Sequence, residues 1–336
     1  MAIRGFTRAS TLGPIAQVIE AAGGSAQQVF SRADLPLSLL QTPAAFVPLK
    51  DHYNLLRHSA DELADELFAI RLGRKVTVRD LGTYGQWVVQ APTLLESINR
   101  ANKSMPHMLQ SATVLSIRIT SNSAIWSYDS KDSASEGRQH NEMLALCFMI
   151  EIAREHLGSG WLPDRVIICG RPTHDIANLE QLLGTNVSFH NDAGCVVFDR
   201  CLLATRRLRK ATTRLSPGDI GRAINVPNPH DLLDTVTSLI ALEMTERLPR
   251  IGWAAGKLGF SERTMQRKLN AAGSGFSELV QAAQQQRAFD LLLEGRWSIA
   301  NIAFELGYSD AAHFSRAFKR WTGFTPTSWK SMADFD

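Results

Sequence analysis

Near the C-terminal end, two short stretches set cationic and hydrogen-bonding side chains around apolar ones at helical spacing. In Ser261 to Asn270 ("SERTMQRKLN"), Met265 and Leu269 lie four apart and leave Arg263, Thr264, Gln266, Arg267, Lys268 and Asn270 on the other side. In Asp310 to Trp321, Phe314, Ala317, Phe318 and Trp321 fall at i, i+3, i+4 and i+7, so Ala312, His313, Ser315, Arg316, Lys319 and Arg320 turn outward. Arg and Gln present paired groups that fit guanine and adenine edges, while Ser, Thr and Ala can meet thymine methyls. Lys and Arg near helix ends suit phosphates, which add affinity without reading sequence. One helix with several exposed cations is also what a solvated surface looks like, so each stretch alone leaves both readings open.

The elements that must position these residues repeat. Leu258-Gly259-Phe260-Ser261 matches Leu306-Gly307-Tyr308-Ser309, and Met265, Arg267 and Leu269 match Phe314, Arg316 and Phe318 with one extra residue in the second copy. Each copy predicts a short helix, a turn at glycine and a second helix capped by Ser261 or Ser309, which is a helix-turn-helix unit. The units are expected at about 251–271 and 298–321, joined by a helix at about 276–293. Eighteen helical residues span about 27 Å, close to the roughly 34 Å between successive major grooves on one side of B-DNA. Two such units are much harder to explain as plain surface than one. From Ile251 to Lys330 there are ten Lys and Arg against six Asp and Glu, so the excess positive charge of a chain of net +3 is C-terminal.

The whole chain has 336 residues, 44% hydrophobic and 21% charged, enough for two or three domains with proper cores. Residues 1–205 alternate helical patterns with strand-like runs and predict an α+β domain. Helices are expected from about Lys50 to Ala64, from Pro92-Thr93 onward and across "HNEMLALCFMIEIAREHLG" up to Gly158. Hairpins are expected over Thr113 to Asp129 and over "NVSFHNDAGCVVFDR", the latter turning at Asn191, Asp192 and Gly194. Residues 206–230, rich in Arg, Pro, Gly and Asn, are expected as a linker, and 231–336 as an all-α domain with the two helix-turn-helix units. Cys147, Cys169, Cys195 and Cys201 form no metal-ligand spacing and are expected as reduced structural thiols of a cytoplasmic protein. The longest apolar run, Met143 to Ile150, is too short to span a membrane, and the N-terminus shows no export signal. No HExxH or GxSxG occurs, and Glu136, His140 and Glu142 are expected at an exposed helix start; no catalytic residue, metal or cofactor is assigned.

The stretch "LGYSDAAHFSRAFKRWTGFTPTSWK", within a match running from about Leu232 to Lys330, resembles the DNA-binding domain of the AraC family of bacterial transcription regulators. The resemblance implies seven helices, with Arg263, Gln266 and Arg267 leading the base contacts of the first unit and Ala312, His313 and Arg316 those of the second. The chain departs from the family at Gln284, where the linker helix usually carries an Arg; Arg287 does not replace it, which puts that helix's polar anchoring in question. Residues carrying "DLPLSLLQTPAAFVPLKDHYNLL", "LGTYGQWVVQAPTLLESI" and "LGTNVSFHNDAGCVVFDRCLL" are similar to the effector-sensing domain of the branch that contains ornithine-utilisation regulators. That similarity implies a small-molecule-responsive, dimerising module. Together these readings predict a transcription regulator, taken as an activator, with promoter DNA, RNA polymerase, a small-molecule effector and a second copy of itself as partners. Tyr84, Trp87, Trp126, Tyr128 and His140 are the candidates for lining an effector pocket. The alternative is an N-terminal domain that only dimerises or binds another protein.

Overall fold

Alternation along "SAIWSYDS" puts Ala124, Trp126, Tyr128 and Ser130 on one buried face, and the sheet of the N-terminal unit is built outward from that strand. The computed structural model describes residues 4–131, 136–190, 192–208 and 214–333. The chain divides into two units, one ending at Pro229 and one beginning at His230.

In the first unit β1 (Phe6–Arg8) pairs antiparallel with β2 (Phe46–Pro48), with Phe6 opposite Pro48. The main sheet has the order β3 (Thr113–Ile119), β4 (Ser123–Ser130), β7 (Gly194–Asp199), β5 (Arg165–Cys169), β6 (Asn186–His190). The β3–β4 hairpin forms as its alternation predicts, with Thr113 opposite Ser130. The expected β6–β7 hairpin does not form. β6 pairs parallel with β5, because the helix between them, Ile176–Leu183, makes a crossover. β7 instead fills the space between β4 and β5. Of the turn residues expected there, Asn191 lies outside the described residues.

The helices of this unit are α1 (Ile15–Ala21), α2 (Ala26–Arg32), α3 (Leu49–Glu62), α4 (Phe68–Gly73), α5 (Gly82–Val89), α6 (Leu94–Met108), α7 (Arg138–Leu157), α8 (Ile176–Leu183) and α9 (Pro217–Ala223). α6 starts where Thr93 accepts a bond from the Glu96 N–H, and α7 stops at Gly158 with φ +95°. α7 packs on β4, β5 and β7 and also against α3 and α4. Its approach to α4 is close enough that a Cβ on Gly73 would lie 2.3 Å from Cys147 Sγ. The segment expected as a plain linker carries α9, capped by Ser216 and Asp219. It is held to the first unit by bonds from Arg8 to the Ala223 carbonyl and from the Val226 N–H to the His107 carbonyl. Residues 209–213 of that stretch lie outside the described residues.

The second unit is all helix: α10 (Leu232–Glu243), α11 (Ile251–Leu258), α12 (Glu262–Ala271), α13 (Phe276–Leu293), α14 (Ile299–Glu305), α15 (Ala311–Thr322) and α16 (Pro326–Ala333). Phe314 and Phe318 of α15 are fully buried among Ala288, Leu291 and Leu292 of α13 and Ile302, Ala303 and Leu306 around α14. Among the described residues no helix is long and apolar enough to cross a membrane.

Candidate nucleic-acid interface and interior cavity

The two helix-turn-helix units are built by the same local chemistry. α11 ends at Gly259 in the left-handed region, φ +71°, and α12 opens on Ser261, whose Oγ accepts from the Thr264 N–H at 3.2 Å. Met265 and Leu269 point into the core with no exposure. Arg263, Gln266, Arg267, Lys268 and Asn270 are exposed, and Thr264 is half-buried. The Thr264 hydroxyl sits 2.9 Å from Ser261 Oγ, inside the cap. The Lys268 ammonium rests 5.3 Å from the centre of the Phe260 ring.

In the second unit the chain turns at Gly307, φ +78°, where a Cβ would come within 2.6 Å of Leu248. The cap of α15 is Asp310, not the expected Ser309: Asp310 Oδ1 accepts from the His313 N–H at 2.6 Å. The extra residue of the second copy falls at this point and moves the cap one place on. The same backbone bond holds the Asp310 carboxyl below its usual range. Ala312, His313, Arg316, Lys319 and Arg320 are exposed. Ser315 is turned back on its own helix, donating to the Ala311 carbonyl at 2.7 Å. The His313 ring stands edge-on to Tyr308 at 5.5 Å.

Gln284 supplies the anchor that its departure from the usual Arg put in question. Its Nε2 donates to the Leu306 carbonyl at 3.1 Å, tying α13 to the turn of the second unit. Arg287 contributes only a longer ion pair, 3.8 Å to Glu305.

In the first unit the five aromatic and histidine candidates do not meet in one pocket. Tyr84 and Tyr128 line an interior cavity of about 40 Å³ together with Thr11, His52, Gln110, Asn141 and a wall of Leu, Met, Ile and Phe. Tyr128 Oη accepts from Asn141 at 2.8 Å and from Gln110, and burial pushes its hydroxyl up to about 12. Trp126 is committed elsewhere, its Nε1 donating to Asn102 Oδ1 at 2.9 Å. Trp87 lies under the Arg100 guanidinium, 4.1 Å from its ring centre, beside an open cleft. His140 is lowered by burial and feels Asp61 and Glu66 instead. Glu142, expected at an exposed helix start, has no exposure and pairs with Arg138 at 2.7 Å. Burial pushes its carboxyl up to about 7 against the pull of Arg138.

Comparison with known proteins gives two matches to family models. The arabinose-binding domain of AraC transcription regulators, N-terminal, matches residues 23–206, over half of the chain, and a helix-turn-helix domain matches residues 254–332. The chain belongs to the AraC family of transcription regulators. This AraC-family protein is 23% identical to the regulator VirS of Mycobacterium tuberculosis over 349 residues, 98% of either chain. It is 35% identical to the regulator VqsM of Pseudomonas aeruginosa over 86 residues, 26% of either chain. With the ornithine utilization regulator of the same organism it shares 29% over 82 residues, 24% of either chain. Against those two Pseudomonas regulators the match spans about a quarter of their length. A crystal structure of the regulator CdpR from Pseudomonas aeruginosa aligns with 79% of this chain and 86% of its own, at 21% identity and a TM-score of 0.40. The N-terminal family model and these relatives are those of transcription regulators. The AraC-family chain is thus a DNA-binding regulator with an N-terminal domain of the ligand-binding type.

The residues that sequence reading missed are polar ones inside apolar patterns. His52 lies three residues after Leu49 and four before Leu56, on the buried stripe of α3. Gln110 and Asn141 likewise sit beside apolar runs at α6 and α7 and are buried. A polar residue on an apolar helical stripe was the available signal.

Proposed function

We propose that α12 and α15 enter successive major grooves of promoter DNA. In this reading Arg263, Gln266, Arg267, Ala312, His313 and Arg316 face base edges, and Lys268, Asn270, Lys319 and Arg320 face the backbone. Thr264 and Ser315 lie at the same surface, their hydroxyls already engaged with the cap and the helix backbone. The regulator acts as a dimeric activator in the cytoplasm, engages RNA polymerase, and is controlled by a small metabolite taken up by its N-terminal domain. The observation that carries the reading is the duplication itself: one unit presents two capped helices, each with its apolar stripe buried and its cations outside, joined by an 18-residue helix.

The test is binding of the full chain to a footprinted promoter fragment. Arg267→Ala and Arg316→Ala each remove about 1–3 kcal/mol of specific binding, roughly 5- to 150-fold, at the base pair they read. Lys319→Ala weakens all sequences alike and lowers the salt slope by about one. Wild-type footprints from both arginine variants would make the base-reading assignment wrong. A second reading, an N-terminal domain that only dimerises or binds protein, is favoured by the candidate pocket residues not meeting at one site: Trp126 and His140 are engaged elsewhere. Ligand-dependent stabilisation of the full chain separates the two.

A further inference from the structure

His52, which lines the interior cavity of the first unit, carries one buried polar atom with no partner among the described residues. His52 has no exposure; its Nε2 lies 3.2 Å from Thr11 Oγ1, and among the described residues its Nδ1 has no partner. The Thr11 hydroxyl donates its own proton to the Arg8 carbonyl at 2.7 Å. Its oxygen therefore accepts from His52 Nε2–H, which leaves Nδ1 as a bare acceptor. Burial keeps the ring neutral, pulling it down to about 4. Among the described residues no Asp, Glu, Lys or Arg lines the cavity, so a charged occupant would lose its hydration with no partner charge in return.

The walls of this cavity also hold the end of the unit. Met105, Leu109 and Gln110 line it, and the same stretch offers carbonyls on its other side. The His107 carbonyl takes the Val226 N–H at 3.1 Å and the Leu109 carbonyl takes the Arg8 N–H at 3.0 Å. The Arg8 guanidinium donates to the Met108 carbonyl at 2.6 Å, to the carbonyls of Ala44 and Ala223 at 3.0 Å each, and to Asn225. Arg8 is thus joined to the cavity through Thr11 and Leu109, and to residues 223–226 through its side chain. Those residues lie just before Pro229, where the first unit ends.

The stretch can give way. Pro106 stands inside α6 and cannot donate to the preceding turn, and Leu109 leaves helical geometry. Met105 and Met149, both unbranched, line the cavity beside it. At about 40 Å³ the space is small, and a guest the size of an aromatic ring needs the unbranched Met105 and Met149 side chains to repack.

Resting on the effector-controlled reading above, we propose that the cavity takes a small uncharged molecule with an apolar body and one hydroxyl or N–H that donates to His52 Nδ1. Its entry is passed through the end of α6 and Arg8 to residues 223–226. The probes are benzyl alcohol, benzyl methyl ether, toluene and benzoate, titrated into the full chain by thermal shift. Benzyl alcohol should bind about fivefold more tightly than the ether or toluene, which cannot donate, and benzoate should give no shift. Equal binding of benzyl alcohol and its ether, stronger binding of benzoate, or no shift with benzyl alcohol up to its solubility overturns the ligand class. These comparisons use wild-type protein, so no variant has to fold. The route is read by hydrogen exchange at the Val226 amide. Benzyl alcohol should change its rate by about threefold or more, and Arg8→Ala should raise the rate without ligand and remove the response. Ligand binding with no change at Val226, or an unaltered response in Arg8→Ala, overturns the route. Neither readout contains DNA, so failure here leaves the groove reading standing and failure there leaves these results interpretable.

Discussion

Gln284 should set how well the two helix-turn-helix units act together. It is half-buried on α13 and donates to the carbonyl of Leu306, a residue 1% exposed that immediately precedes the turn glycine. Gln284→Leu keeps the apolar contact and removes the donor. A carbonyl deprived of its partner costs about 1–3 kcal/mol when fully buried, and the half-buried site places this one near the lower end, about 1 kcal/mol. If the bond holds the second unit in place on α13, the loss falls on DNA that engages both units, about fivefold in Kd, and spares DNA that engages α12 alone. Gln284→Arg keeps a donor and should stay within about twofold of wild type. The assay is fluorescence anisotropy on a footprinted promoter fragment and on a fragment cut to the α12 groove. An equal loss on both fragments would refute the reasoning, as would wild-type binding by Gln284→Leu on the longer one.

Further outcomes follow from burial. Phe314→Ala empties the centre of the cluster around α13 to α15, where Phe314 has no exposure, and should cost about 3–5 kcal/mol; denaturation should show it, with lost exchange protection confined to the second unit, and protection lost equally in the first would contradict it. His156 is fully buried with both ring nitrogens unpartnered among the described residues, and burial, then Arg207, pulls it from 6.5 down to about 4. The unfolded chain then takes up a proton near 6.5 that the folded chain refuses until about 4, so stability present above 6.5 is lost as the pH falls through that window. By pH 5 the loss from this group is about 2 kcal/mol, and the stability of His156→Leu should gain on that of wild type as the pH falls from 6.5 to 5. Glu142, raised to about 7, acts the other way: stability falls as the pH rises from 4.5 to 7. The test is therefore the difference between variant and wild type, and parallel curves would remove His156 from the account.

Local signals made the second unit legible. Gly259 and Gly307 both sit at positive φ, where only the missing Cβ is free of strain, and the stripe of Phe314, Ala317 and Phe318 is buried as its spacing predicts. Even there the cap moved from Ser309 to Asp310, because both side chains can cap and only the position of the extra residue chooses between them. The α+β character of the first unit was legible for the same reason, but not its strand order. Two strands separated by a short polar turn resemble a hairpin, yet β6 is claimed by β5 through α8, a contact that no local pattern encodes. The cavity was hidden by the assumption that polar means exposed. His52 and Gln110 are bonded inside the fold, whereas Trp126 and His140, better candidates by composition, are committed to other neighbours.

The chemistry of the two units differs in a way that makes their coupling measurable. The surface of α12 and α15 is cationic, with Arg263, Arg267, Lys268, Arg316, Lys319 and Arg320 exposed, so if it carries the DNA contacts, as proposed, the affinity falls steeply with salt through counterion release. Among the described residues the cavity lining contains no charged side chain, so occupancy by an uncharged molecule carries no comparable salt dependence. If occupancy acts by shifting how the second unit is presented, a saturating ligand multiplies DNA affinity by one factor at every salt concentration, and plots of log K against log salt with and without ligand run parallel. If instead the ligand changed how many phosphates are engaged, the two lines would converge or cross, since each contact contributes about one to the slope. Parallel lines place the control in the equilibrium between arrangements of the regulator, and converging lines place it in the contact surface itself.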